Sequence, residues 1–176
     1  MSNKLRVVVS LHHRDELSLG SHRTRLCHEA FHWGIIIMPK RSKGPDCHAY
    51  DVSDGPVLDP NKRQDLNPEH AWESRVKLGV DPLRSGRLIS RIIIGKVPKH
   101  VDLANIGRLL ATIPLPAKDA VPAESCVTWT LAAIAILQAE GIVHPFDVGR
   151  FRDWALSYAD RSMKNMGPHN IVEYVS

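Results

Sequence analysis

Cysteine is scarce in this chain. Cys27, Cys47 and Cys126 are the three present, an odd number without regular spacing. That excludes a disulfide framework and a CxxC-type zinc site. A long hydrophobic run is missing as well. The longest apolar stretch, Leu131 to Leu137, falls far short of the ~20 residues that cross a bilayer. The start, Met1-Ser2-Asn3-Lys4-Leu5-Arg6, leads into a short apolar run that charges soon interrupt, so no signal peptide is expected. A reducing, cytoplasmic setting follows as the expectation. Aromatics make up 6% of the chain, and its lysines and arginines are scattered rather than blocked. A net charge of +4 and a pI near 9.1 therefore argue against nucleic-acid binding. There is no internal repeat, no low-complexity segment and no call for a cofactor.

What is present is the composition of a soluble globular protein, 43% apolar and 24% charged. A length of 176 residues suits one domain, 1–176, with a real hydrophobic core. The run Val7-Val8-Val9-Ser10-Leu11 is β-branched and predicts a first strand. Phe31 to Met38 predicts a second, fully buried strand, stopped by Pro39 and the basic turn Lys40-Arg41-Ser42-Lys43. Cys47 to Val52 predicts a third, forming a hairpin with the second. Two more are expected over 72–78 and 88–97. Residues 14–25 are polar and read as a loop or short helix. Leu103, Ile106, Leu109 and Leu110 give helical spacing over 102–113. A proline-rich loop follows, then a helix from Ser125 to Glu140 stopped at Gly141. A last amphipathic helix spans about 146–163. Strands precede helices without βαβ alternation, which predicts an α+β fold with an antiparallel sheet packed on helices.

Two residues carry the chemistry. Cys126 lies where the proline-rich loop becomes a long apolar helix. A thiol at a helix start faces unpaired backbone N–H groups and the positive end of the helix dipole, which favour a thiolate. His32 opens the strand 32–38, and a histidine on a buried strand is held rigidly, as a general base must be. Each residue also suits plain packing, the cysteine as a small hydrophobe and the histidine as a core donor to a carbonyl. A second pattern overlaps the first. His28-Glu29-Ala30-Phe31-His32 is a literal HExxH, which on a helix would place two zinc-binding histidines on one face. It runs straight into a strand signal, and Met38 stands where an extended zincin motif needs a third histidine.

The segments Phe31-His32-Trp33 to Pro39-Lys40, Ala49-Tyr50-Asp51-Val52 and Ser125-Cys126-Val127-Thr128-Trp129 resemble a group of uncharacterised fungal proteins. Those typically read Tyr-His-Trp-aliphatic-Pro-Lys, then Tyr-His-Val, then Asn-Cys-x-x-Trp. The likeness runs from the first strand to about Gly141. More distantly, the histidine-before-cysteine order is similar to the circularly permuted papain-like hydrolases, among them the lecithin:retinol acyltransferase family. That resemblance implies a triad: His32 as base, Cys126 as nucleophile, and a third member on 47–52. Asp51 stands where the fungal relatives carry histidine and is the preferred orienter, because a carboxylate accepts the imidazole N–H. His48 is the rival. Three positions apart on a strand, the two face opposite sides, so one of them meets His32. Ser125 replaces the relatives' asparagine, offering a hydroxyl where an amide would have served an oxyanion.

The expected activity is that of a thiol-dependent hydrolase or acyl or peptidyl transferase acting on an amide, ester or thioester. Its partner is then a small-molecule or peptide substrate with an acyl group. A zinc hydrolase built on His28, Glu29 and His32 is the alternative, and a catalytically inactive binding module of the same fold is a third. The sequence leaves the substrate and the oligomeric state open.

Overall fold

The β-branched runs 7–9 and 35–37 become the two central strands of a single sheet, β1 (Leu5–His13) and β2 (Phe31–Pro39). The computed structural model describes residues 4–175. Four further strands follow: β3 (Cys47–Ser53), β4 (Glu73–Val80), β5 (Leu88–Lys96) and β6 (Ile171–Glu173). The strand order is β4-β3-β2-β1-β5-β6. The helices are α1 (Gly20–Leu26), α2 (Leu103–Ala111), α3 (Cys126–Ala139) and α4 (Val148–Ser162). No helix among the described residues is long and apolar enough to cross a membrane.

The mixed α+β architecture has strands first and most of its helices later, and the 31–39 and 47–53 strands pair antiparallel. One expectation fails. The sheet is not wholly antiparallel, because β6 runs parallel to β5. Its three residues are too few to show periodicity. The chain reaches them only after α2, α3 and α4, and such a long crossover is what parallel pairing needs. The polar segment 14–25 is neither one loop nor one helix. It is a 3-10 turn (Asp15–Ser18) followed by α1.

Alternation along the strands sorts the core. Phe31, Trp33, Ile35 and Ile37 of β2, with Val7, Val9 and Leu11 of β1 and Tyr50 and Val52 of β3, join the large cluster under the helices. Val8, Ile36, Met38 and Cys47 point the other way into a small second cluster. Among the described residues no helical side chain joins that second cluster. Trp129 is buried in the helix-side cluster and packs the core.

Candidate active site

Period two turns His32 and Gly34 to the uncovered face, since Phe31, Trp33 and Ile35 take the helix side. The β1–β2 register sets His12 directly opposite His32, ring centroids 6.1 Å apart. On β3, Tyr50 and Val52 are helix-side, so Asp51 shares the face of His32. The Asp51 carboxylate lies beside the ring, Oδ2 at 3.6 Å from Nε2. Gly34 makes this approach possible. A methyl group at position 34 would stand 3.0 Å from the Asp51 Cβ and 3.2 Å from the Tyr50 carbonyl.

Cys126 arrives from the other layer. α3 begins at the end of the sheet, with the Cys126 Sγ at 4.0 Å from the carbonyl of Phe31, the residue before His32. Local chemistry fixes that start. The Ser125 hydroxyl accepts from the Val127 N–H, and the Thr128 hydroxyl accepts from the Ser125 N–H. This is a capping box, which binds orphan donors of the first turn. The oxygen of Ser125 is therefore engaged by its own helix as an acceptor, while its O–H can still donate. The Cys126 N–H stands at the first helical position, where no intrahelical acceptor exists. A cavity of about 470 Å³ opens here, and Cys126, His32, Asp51, His12 and Arg75 all line it.

Burial alone would depress the His32 pKa. Hydrogen bonding to Asp51 and Cys126, together with their charges, outweighs it and raises the value to about 9. His12 goes the other way. Burial first, and then the charge of His32, lower it to about 4. For Asp51, burial would raise the carboxyl, but the hydrogen bond to His32 and the charges of His32 and Arg75 hold it below its ordinary value. At neutral pH the pair is thus imidazolium and carboxylate, with a neutral imidazole next door.

Arg75 is the member that sequence reasoning did not single out. From β4 its Nε donates to Asp51 Oδ1 at 2.6 Å, and Nη2 lies 3.1 Å from His32 Nε2. A guanidinium has only donors. The second contact is a hydrogen bond only while Nε2 carries no proton. Once His32 is protonated, the two cations share the carboxylate, Arg75 through Oδ1 and His32 through Oδ2.

His48 is elsewhere. It pairs with Ile37 on the helix-side register, and its buried Nδ1 has no hydrogen-bond partner among the described residues. The HExxH residues are also separated. Cys27–Ala30 is a 3-10 turn and His32 already belongs to β2, so the two histidines do not share a helix face. His28 Nε2 instead meets Asp153 of α4 at 2.9 Å. Among the described residues no group of three histidine, cysteine or acidic side chains is placed to hold a metal.

A thiol, an imidazole and a carboxylate gathered on a mixed α+β fold define the chemical class of the site. Over residues 4–166 the chain matches the model of a family of unknown function, DUF6914, and it belongs to that family. No curated protein and no solved structure matches it.

Proposed function

We propose that the protein is a cysteine-dependent acyl-group hydrolase or transferase, with Cys126 as nucleophile, His32 as base and Asp51 as orienter. The observation that carries the reading is the convergence of the three side chains, from α3, β2 and β3, on one cavity. The chain order, histidine strand before cysteine helix, favours a permuted papain-like arrangement of this fold. At neutral pH His32 already holds the proton as an imidazolium, and in the first step the Cys126 sulfur, its thiolate partner, attacks a carbonyl carbon. The S–C bond forms, the bond to the leaving group breaks, and His32 returns the proton to the departing atom. The developing oxyanion finds the Cys126 N–H at the helix start. Water or another nucleophile then cleaves the thioester, giving its proton to His32, and the thiolate–imidazolium pair is restored.

Asp51 accepts from the imidazolium and fixes which nitrogen faces the sulfur. With Nε2 turned to Asp51 and Arg75, Nδ1 is the nitrogen left for Cys126. Arg75 keeps Asp51 ionised and in place, and so acts as a positioning residue.

The test is acyl-enzyme trapping with a p-nitrophenyl ester, followed by mass-spectrometric mapping. An acyl adduct on Cys126, absent in Cys126→Ala and slowed by ~10²-fold or more in His32→Ala, is the expected result. Turnover that survives both substitutions would remove the proposal.

A further inference from the structure

The cavity does not stop at His32. A second hollow of about 310 Å³ continues along the uncovered sheet face, over Ser10, Gly34 and Ala49. His12, Asp51 and Lys77 belong to the walls of both. Strand pairing explains the cations. Arg75 lies opposite Asp51 and Lys77 opposite Ala49, so period two places both on the open face. Arg75 is already engaged by Asp51, whereas Lys77 makes no ion pair with any described residue. The other carboxylates of the first hollow are Asp15, which pairs with Arg87 at 2.9 Å, and Asp54. At the junction, the charges of His32, Lys77 and Arg75 bear on His12, against that of Asp51.

The junction sets three cations, His32, Arg75 and Lys77, against the Asp51 carboxylate, and Asp81 of the second hollow pairs with Arg84 at 3.6 Å, which leaves a place suited to a negative group. We propose that this junction, with His12 as floor and Arg75 and Lys77 as wall, is a subsite for an anionic group of the substrate, a carboxylate or a phosphate. The spacing of His12 from His32, 6.1 Å between ring centroids, sets that group a short chain away from the acyl carbon. The inference rests on the thiol reading above and narrows its substrate class to acidic acyl compounds.

Paired alkylating agents separate the two ideas. Iodoacetate and iodoacetamide differ in charge but react alike with an exposed thiol, and Cys27 serves as that reference. At Cys126 the iodoacetate-to-iodoacetamide rate ratio is expected to exceed that of Cys27 by about tenfold or more. It should fall in Lys77→Gln and invert in Lys77→Glu. Protection by succinate would assign a carboxylate, and protection by inorganic phosphate a phosphate. Fast labelling of Cys126 by iodoacetamide with a ratio no greater than that of Cys27 would overturn the subsite and leave the thiol reading intact. Should Cys126 react with neither reagent, the thiol reading fails, and the subsite is judged by nuclear magnetic resonance of the histidine rings. Saturable succinate or phosphate shifts at His12, lost in Lys77→Gln, would uphold it, and their absence from the wild type would overturn it.

Discussion

His12 and His32 face one another across a strand pair and are pushed in opposite directions, to about 4 and about 9 from the ordinary 6.5. Linkage turns this into a stability profile. The folded chain holds a proton on His32 between pH 6.5 and 9 that the unfolded chain releases, so its contribution is complete below 6.5 and lost as pH rises through 9. For His12 the unfolded chain binds a proton between pH 6.5 and 4 that the folded one refuses, so stability falls as pH drops across that window. Each limb amounts to about 3 kcal/mol. Urea unfolding across pH should show a maximum near 6.5. His32→Gln should flatten the alkaline limb and His12→Gln the acid one; an unchanged alkaline limb in His32→Gln would contradict the His32–Asp51 pairing. Asp51→Asn should also slow acyl transfer, since an amide cannot take the imidazolium charge. His32 and Cys126 were legible as residues because a strand signal and a helix-start signal flanked them. Arg75 and Lys77 were not, since nothing local says which strand a cationic side chain will lie beside.

Two elements hold the site in shape, and each yields a test. α3 begins where it does because Ser125 and Thr128 close a capping box. Ser125→Ala removes one acceptor and should cost about 1 kcal/mol, read as a lower urea midpoint, while loosening the Cys126 backbone and slowing acylation. On β2, Gly34→Ala places a methyl group against the Asp51 Cβ and a backbone carbonyl. About 1–3 kcal/mol of destabilisation is expected, with a loss of activity out of proportion to it because Asp51 must move. Gly34→Ala with wild-type activity would show that Asp51 does not need its present place. The hairpin of 31–39 with 47–53 was readable from the proline stop and basic turn between two apolar runs. The preference for Asp51 over His48 came from the resemblance and from carboxylate chemistry, because alternation gives opposite faces but not which face meets His32. The HExxH pattern stayed an alternative for a related reason. Four-residue spacing has meaning only on a helix, and the β-branched run after His32 pulls that residue into a strand.

Across the whole molecule His32 and Asp51 lie on the sheet face that the helices leave bare, while α3 and α4 cover the other and α3 brings Cys126 to its end. The C-terminal segment locks this arrangement from far away. β6 closes the sheet beside β5, the Arg91 guanidinium donates to the Pro168 carbonyl at 2.6 Å, and Tyr174 packs about 5 Å from Phe146, Phe151 and Trp154. Tyr174→Ala should therefore cost about 3 kcal/mol in urea unfolding, with Cys126 reactivity retained in the protein that stays folded. Neither β6 nor the sheet order was legible beforehand. Pairing of β1 with β5 spans 76 to 90 positions, from His12–Leu88 to Arg6–Lys96, and the three residues of β6 become a strand only when α4 delivers them to an open edge. The central claim, that the imidazole of His32 activates the sulfur of Cys126, is most directly tested by site-resolved iodoacetamide labelling at pH 6, wild type against His32→Ala. Cys126, 2% exposed, should outpace the exposed Cys27 in the wild type and fall behind it in the variant. Slower labelling of Cys126 than of Cys27 in the wild type, or a rate indifferent to His32→Ala, would contradict the account.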